Sequence, residues 1–452
     1  MRRRTIHLVL FLGTLLSLSL IFGFYKWKTA NALTQQSSEA YVIVQFNPSE
    51  RIVRKIEFVG PTISGLEALE RTGLEIGIAE TAFGKAVCHI EGVGCPVDDC
   101  FCGGNNFWNY GYWDGTAWQS YLVGAEQSVI SNNAVEGWRW GEWDGQPIPP
   151  ATPITKTIAS LDWLRTRQSP TDGGYGTRSS SVEALLSIGA NRIKAADWRA
   201  SPEHPSLIDY WISNEAPYAN GGLAESGKLA VGLSAAQGCW VANALNPWSY
   251  YAPKSGIFAK DSSGFQAWAM LGALPFGQGM PLEAREYLKS LVQPDGGWEW
   301  MAGFTSDTNT TALAIQALIA SGEPITSTAI VDGLNFLKSA QNEDGGFPYD
   351  PDSPWGTQSD TNSTALVVQA IVAAGQDPGT DPWVINQTNP IEFLLTMQLE
   401  DGSFEWQSGY GSNLLATQQA IPALLGNPYP LRASTLSICE TDYIPIIKKD
   451  SP

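Results

Sequence analysis

From about residue 154 onward one pattern of apolar and polar positions recurs. An amphipathic stretch ends in Gln, a turn of acidic residue, glycine and aromatic follows, and then comes a stretch that is apolar nearly all round. The turn is written "RQSPTDGGYG", "VQPDGGWEW", "QNEDGGFPYD" and "QLEDGSFEW". The apolar stretches start near Ser180, Ala224, Ser262, Asp307, Asp360 and Ser412, which predicts six helical hairpins, the second and third degraded. A helix without a polar face is buried on every side. The pattern therefore predicts a closed double ring, six helices inside and six outside, over residues 156–426.

Residues 41–145 follow a different period. "YVIVQF" and "RIVRKIEF" alternate as strands, and "SGLEALERTG" reads as a short capped helix. A Pro-rich stretch, residues 146–155, separates the two regions, and residues 427–452 form a tail. The expected fold class is multidomain α+β, a small mixed α+β domain followed by an α/α toroid.

Two inner helices open almost identically, "FTSDTNTTALAIQALIASG" and "TQSDTNSTALVVQAIVAAG". Asp307 and Asp360 fall where a helix needs a side-chain acceptor for its first amides, so capping is their structural reading. Parallel inner helices also open at one end of a ring, and that mouth collects partial positive charge suited to polar ligand groups. Asp261, Asp307, Thr308, Asp360, Thr361 and Tyr410 are the candidates there. The Gln and Asp-Gly-Gly positions read as mortar between hairpins.

In the first domain "NFWNYGYWDGTAW" places Trp108, Tyr110, Tyr112, Trp113 and Trp118 close together, as core filling or as a face for a flat ligand. The net charge of -18 disfavours nucleic acid as a partner. Arg2 to Arg4, an uncharged run from Leu8 to Phe24 and a small-residue exit at Ala30 to Ala32 read as a signal peptide or a membrane anchor over residues 1–32. Either places the remainder outside the cytoplasm, secreted or held at the membrane's outer face. Cys88, Cys95, Cys100 and Cys102 then read as disulfide candidates, with zinc the rival.

The Gln-to-Trp turns and the Ser-Asp-Thr helix starts resemble those of the terpenoid cyclase and protein prenyltransferase toroid superfamily. The first domain, through "SGLEALERTG", "FWNYGYWDGTAW" and "VEGWRWG", resembles the small domain of transcobalamin and intrinsic factor. That second resemblance implies a small domain closed over the toroid mouth and a corrinoid between them. The cyclase branch implies an Asp-x-Asp-Asp acid and the prenyltransferase branch an Asp/Cys/His zinc site; neither string occurs in the toroid region, nor does a thioester Cys-Gly-Glu-Gln. The expectation is a binding protein for a bulky, partly apolar small molecule, with cobalamin as a candidate ligand and no catalytic or metal residues assigned. The alternatives are a cyclase-like or prenyltransferase-like enzyme and a surface interaction protein.

Overall fold

The computed structural model describes residues 37–82, 84–431 and 435–439. The expected signal or anchor, residues 1–32, and the end of the tail, residues 440–452, lie outside the described residues.

The first domain is built on a five-stranded sheet. Its strands are β1 (Ser37–Asn47), β2 (Glu50–Val59), β7 (Phe107–Trp113), β8 (Trp118–Ser120) and β10 (Ala134–Gly141), in the order β2-β1-β10-β7-β8. β1 and β10 run parallel, with Ile43 opposite Gly137; the other pairs are antiparallel. Alternation sorts the residues of β1 by face. Val42, Val44 and Phe46 enter the domain's own core with Leu66 and Leu69 of α1 (Gly65–Glu70), whereas Ile43 joins a core shared with the toroid. A three-stranded sheet, β4 (Ile76–Thr81), β5 (Gly84–Ile90) and β6 (Val93–Gly94), and the short pair β3 (Thr62–Ile63) and β9 (Ile130–Ser131) complete it. Cys88–Cys100 and Cys95–Cys102 are disulfides, which decides against zinc for these four thiols.

The stretch expected as a linker enters the toroid directly, because α2 (Ala151–Arg167) starts inside it. Pro153 sits in the first turn, where its missing N–H costs nothing. Six inner helices follow: α3 (Arg178–Ala190), α5 (Leu223–Ala235), α6 (Ser263–Ala273), α8 (Thr308–Ala320), α10 (Thr361–Ala373) and α12 (Leu414–Leu425). Each packs on the next and α12 packs on α3, so the inner ring closes. The outer layer holds α2, α4 (Leu207–Ala219), α7 (Leu282–Ser290), α9 (Thr328–Ser339) and α11 (Pro390–Thr396).

The outer layer thus has five α-helices among the described residues, where six were expected. Residues 236–262 contain Pro247, Pro253 and Gly256, which break a helical period. A single 3-10 turn, Pro247–Tyr250, stands there, and the rings of Trp248, Tyr251 and Phe258 fill the space, 4.7 to 5.5 Å between centroids. A strap of tail crosses the same region. Trp240 N–H donates to the Ser437 carbonyl, and Cys239 is bridged to Cys439 by a disulfide.

Candidate functional site

The repeated Ser-Asp-Thr has three separate tasks. Ser306 and Ser359 donate their hydroxyls to the turn aspartates Asp295 and Asp344, at 2.9 and 2.7 Å. Asp307 caps its own helix, accepting Thr310 N–H at 2.7 Å and Thr310 Oγ1 at 2.8 Å; Asp360 does the same with Ser363, 2.8 Å each. Thr308 and Thr361 reach forward. Their N–H groups donate to Tyr349 and Trp406 carbonyls at 2.9 Å, and their hydroxyls to Pro348 and Glu405 carbonyls at 2.6 Å.

These six residues are buried, Asp307 only 2% exposed and Asp360 4%. Burial pushes the Asp307 carboxyl up to about 6 against the opposing pull of Thr310, and raises Asp360 in the same way. They form the wall of the mouth, and their polar atoms are engaged in the ring. The glutamines work as expected of mortar. Gln341 Nε2 bonds Gly345 O and Trp383 O at 3.0 and 2.8 Å, and Gln398 Nε2 closes the ring onto Lys156 O at 3.1 Å.

Asp261 and Tyr410 are exposed on the rim. Tyr410, 71% exposed, meets Trp406 edge-on at 5.4 Å, and Phe304, Tyr349 and Trp355 stand exposed on the neighbouring hairpin loops. The rim is therefore aromatic above a wall of buried caps.

Inside the ring lies a polar belt that the sequence analysis missed. Asn362 Nδ2 donates to Gln419 Oε1 at 2.8 Å, Gln419 Nε2 donates to Glu183 Oε1 at 3.3 Å, and Lys228 Nζ pairs with the same oxygen. Lys228 also stands 5.2 Å over the Trp268 ring. The chain links α10, α12, α3, α5 and α6. Glu183, Lys228, Trp268 and Gln419 each lie six residues after the cap of their helix, Thr177, Gly222, Ser262 and Asn413. Aligning the inner helices by their caps is the signal that finds them. Lys228 keeps 22% of its side chain open to solvent, while Glu183 is buried. Beneath the belt, buried Tyr429 packs against Trp268 at 5.2 Å and its N–H donates to Gln316, so the segment after α12 plugs the ring from its far end.

The small domain sits at that far end. Arg51 and Asn427 exchange two hydrogen bonds just past α12, and Val53 and Asn191 exchange two just past α3. Glu50 accepts from Arg192 Nε at 2.8 Å. All are at the ends where inner helices finish. This corrects the expectation of a small domain closed over the mouth: the polar-mouth set and the aromatic set are not brought together. The reason is that β2 finds backbone-like partners in two asparagines beyond helix C-termini.

Trp108 and Tyr110 of the aromatic set belong to the small domain's own core, whereas Trp113 and Trp118 pack against the core shared with the toroid. Trp108 is buried against Phe46 and Trp140, Tyr112 packs on Tyr121 at 4.8 Å, and Trp113 packs on Trp118, whose indole N–H donates to Pro149 O at 3.0 Å. Tyr110 and Tyr121 donate to the buried Glu136 at 2.5 and 2.9 Å. Burial raises Glu136 to about 7 and raises both phenols.

Residues 260–415 match the family described as the squalene-hopene cyclase C-terminal domain. The match lies wholly within the toroid and supports the resemblance of its repeats to the terpenoid cyclase and prenyltransferase superfamily; residues 41–145 lie outside it. Similar solved structures include ent-copalyl diphosphate synthase from Streptomyces platensis, at 17% identity and TM-score 0.38 over 55% of this chain and 49% of that one. The chain thus spans about half the length of that relative. The type II terpene cyclase MstE from Scytonema is similar at 15% identity and TM-score 0.42, over 61% of this chain and 96% of that one. Candida albicans protein geranylgeranyltransferase-I is similar at 12% identity and TM-score 0.35, over 61% and 86%.

Proposed function

We infer that the protein binds a bulky, partly apolar small molecule in the upper lumen of the helical ring, entering where the inner helices begin. The observation that carries this is the Lys228–Glu183 pair, set inside an apolar ring and left partly open to solvent. A charged pair in such a place is retained only with good partners, and here Gln419 and Asn362 supply them. The polar end of a ligand meets this belt, and its apolar body meets the aromatic rim and two half-buried apolar side chains, Leu366 of α10, six residues after its cap Asp360, and Phe265 of α6.

The three disulfides support residence in an oxidising compartment, in keeping with the signal or anchor read at residues 1–32. A second reading, an enzyme acting on an isoprenoid, is favoured by the family match and by the raised carboxyl of Asp307.

The test uses geranylgeraniol and cobalamin as probes, followed by tryptophan fluorescence and melting temperature. A saturable shift with either, weakened by Gln419→Leu, supports the lumen; no shift with both removes it. Turnover of geranylgeranyl diphosphate abolished by Asp307→Asn establishes the second reading, and no turnover dismisses it for that substrate.

A further inference from the structure

A cleft lies at the other end of the ring, between the two domains, with a volume of about 620 Å³. That is within the range of sites for small organic ligands. Its small-domain wall is made by the β1–β2 turn, with Glu50, and the β5–β6 turn, with Glu91 and Gly92. Its toroid wall is Ile319 and Ala320 at the end of α8, Ala373 at the end of α10, and the segment from Pro428 to Leu431. A second cleft of about 500 Å³ adjoins it through Glu91 and Gly92.

The two walls differ in character. One is aliphatic. The small-domain wall carries the carboxylates Glu50 and Glu91, and the toroid wall opposite presents two helix C-termini, which carry partial negative charge. The cation on the larger cleft, Arg192, is already bound to Glu50, so the pair adds little net charge. Glu91 remains. Its Oε1 accepts Glu75 N–H at 2.9 Å, and among the described residues no hydrogen bond to Oε2 is seen.

Glu91 is also held at φ 51, the left-handed region, in the two-residue turn Glu91-Gly92. Asparagine or glycine is the favoured residue there, and a longer side chain is kept at a conformational cost. Such cost is tolerated where the side chain has a task.

We propose that the interdomain cleft is a second ligand site, which takes an organic cation with an apolar body, its ammonium on Glu91 and its body against Ile319, Ala373 and Leu431. The site is independent of the lumen, from which Tyr429 separates it.

The experiment is calorimetric titration of the full chain with octylamine and with octanol, its neutral counterpart of similar size. Octylamine binds saturably and at least about tenfold more tightly than octanol, and the preference shrinks with added salt. Glu91→Gln and Glu91→Asn each remove the preference. The asparagine variant suits the turn better than the native residue and melts no lower, so lost binding there is not lost folding. Saturating geranylgeraniol leaves octylamine binding unchanged, and if geranylgeraniol does not bind at all, the octylamine result stands by itself. Equal affinity for the amine and the alcohol, unaltered binding in both Glu91 variants, or displacement by geranylgeraniol overturns the proposal.

Discussion

Asn427 and Arg51 form a closed pair: Arg51 N–H donates to Asn427 Oδ1 at 2.8 Å, and Asn427 Nδ2 donates to Arg51 O at 2.7 Å. The side-chain amide takes the place of a neighbouring strand. Two residues further along β2, Asn191 repeats the exchange with Val53 at 2.8 and 3.1 Å. The edge of the sheet is thereby satisfied by the ends of α12 and α3, which fixes which end of the ring the small domain covers.

Asn191→Ala and Asn427→Ala each strand a buried donor and acceptor of β2. Each is expected to cost about 2 kcal/mol, and the two together to free β2 from the toroid. Hydrogen exchange should accelerate in residues 50–55 while the inner helices stay protected. Unchanged exchange in β2 would show that the shared apolar core holds the domain unaided.

The hydroxyl one turn into each of four inner helices accepts a hairpin N–H. Thr311 takes Trp298 at 2.9 Å, Thr364 takes Phe347 at 2.9 Å, Thr417 takes Phe404 at 2.8 Å and Ser181 takes Tyr175 at 2.9 Å. Thr311→Val keeps the shape and removes the acceptor, leaving Trp298 N–H buried and unpaired. The expected loss is about 2 kcal/mol in chemical denaturation. A loss no larger than that of an exposed Thr→Val control would remove this role.

Glu136 gives a signed pH dependence. Its folded carboxyl titrates at about 7, above its ordinary value, because burial outweighs the help of Tyr110 and Tyr121. Its contribution to stability is fully present below about 4.5 and is lost as pH rises to about 7. Glu136→Gln does not titrate. The stability difference, variant minus native, should therefore grow by about 3 kcal/mol between pH 4.5 and 7.5 in urea melts. A flat difference would mean an ordinary carboxylate.

Lys228→Met leaves Glu183 buried without its cation, whereas Glu183→Gln with Lys228→Met leaves no charge. The single variant is expected to lose about 3 kcal/mol and the double to regain most of it. Equal losses in the two would show that the pair is not coupled.

Much of this architecture is legible in the chain. The cap rule places the starts of α8 and α10 at Asp307 and Asp360, and all-round apolarity identifies the inner layer. The Gln and Asp-Gly-Gly roles also follow from turn chemistry. What is not legible depends on partners distant in sequence. Asn191 and Asn427 look like ordinary residues after a helix, and nothing near them announces a strand of another domain. Cys239 and Cys439 meet across 200 residues. The belt of Glu183, Lys228 and Gln419 is intermediate: each residue looks like a stray polar position in an apolar helix until the six caps are aligned.

Hydrogen exchange on the protein saturated with geranylgeraniol is the most direct test of where the ligand enters. The account predicts new protection in residues 298–307, 347–360 and 404–413 and in the first turns of α10 and α12, with none in residues 47–50, 91–93 or 428–431. Protection confined to that second group would place the ligand under the small domain and contradict entry through the open mouth.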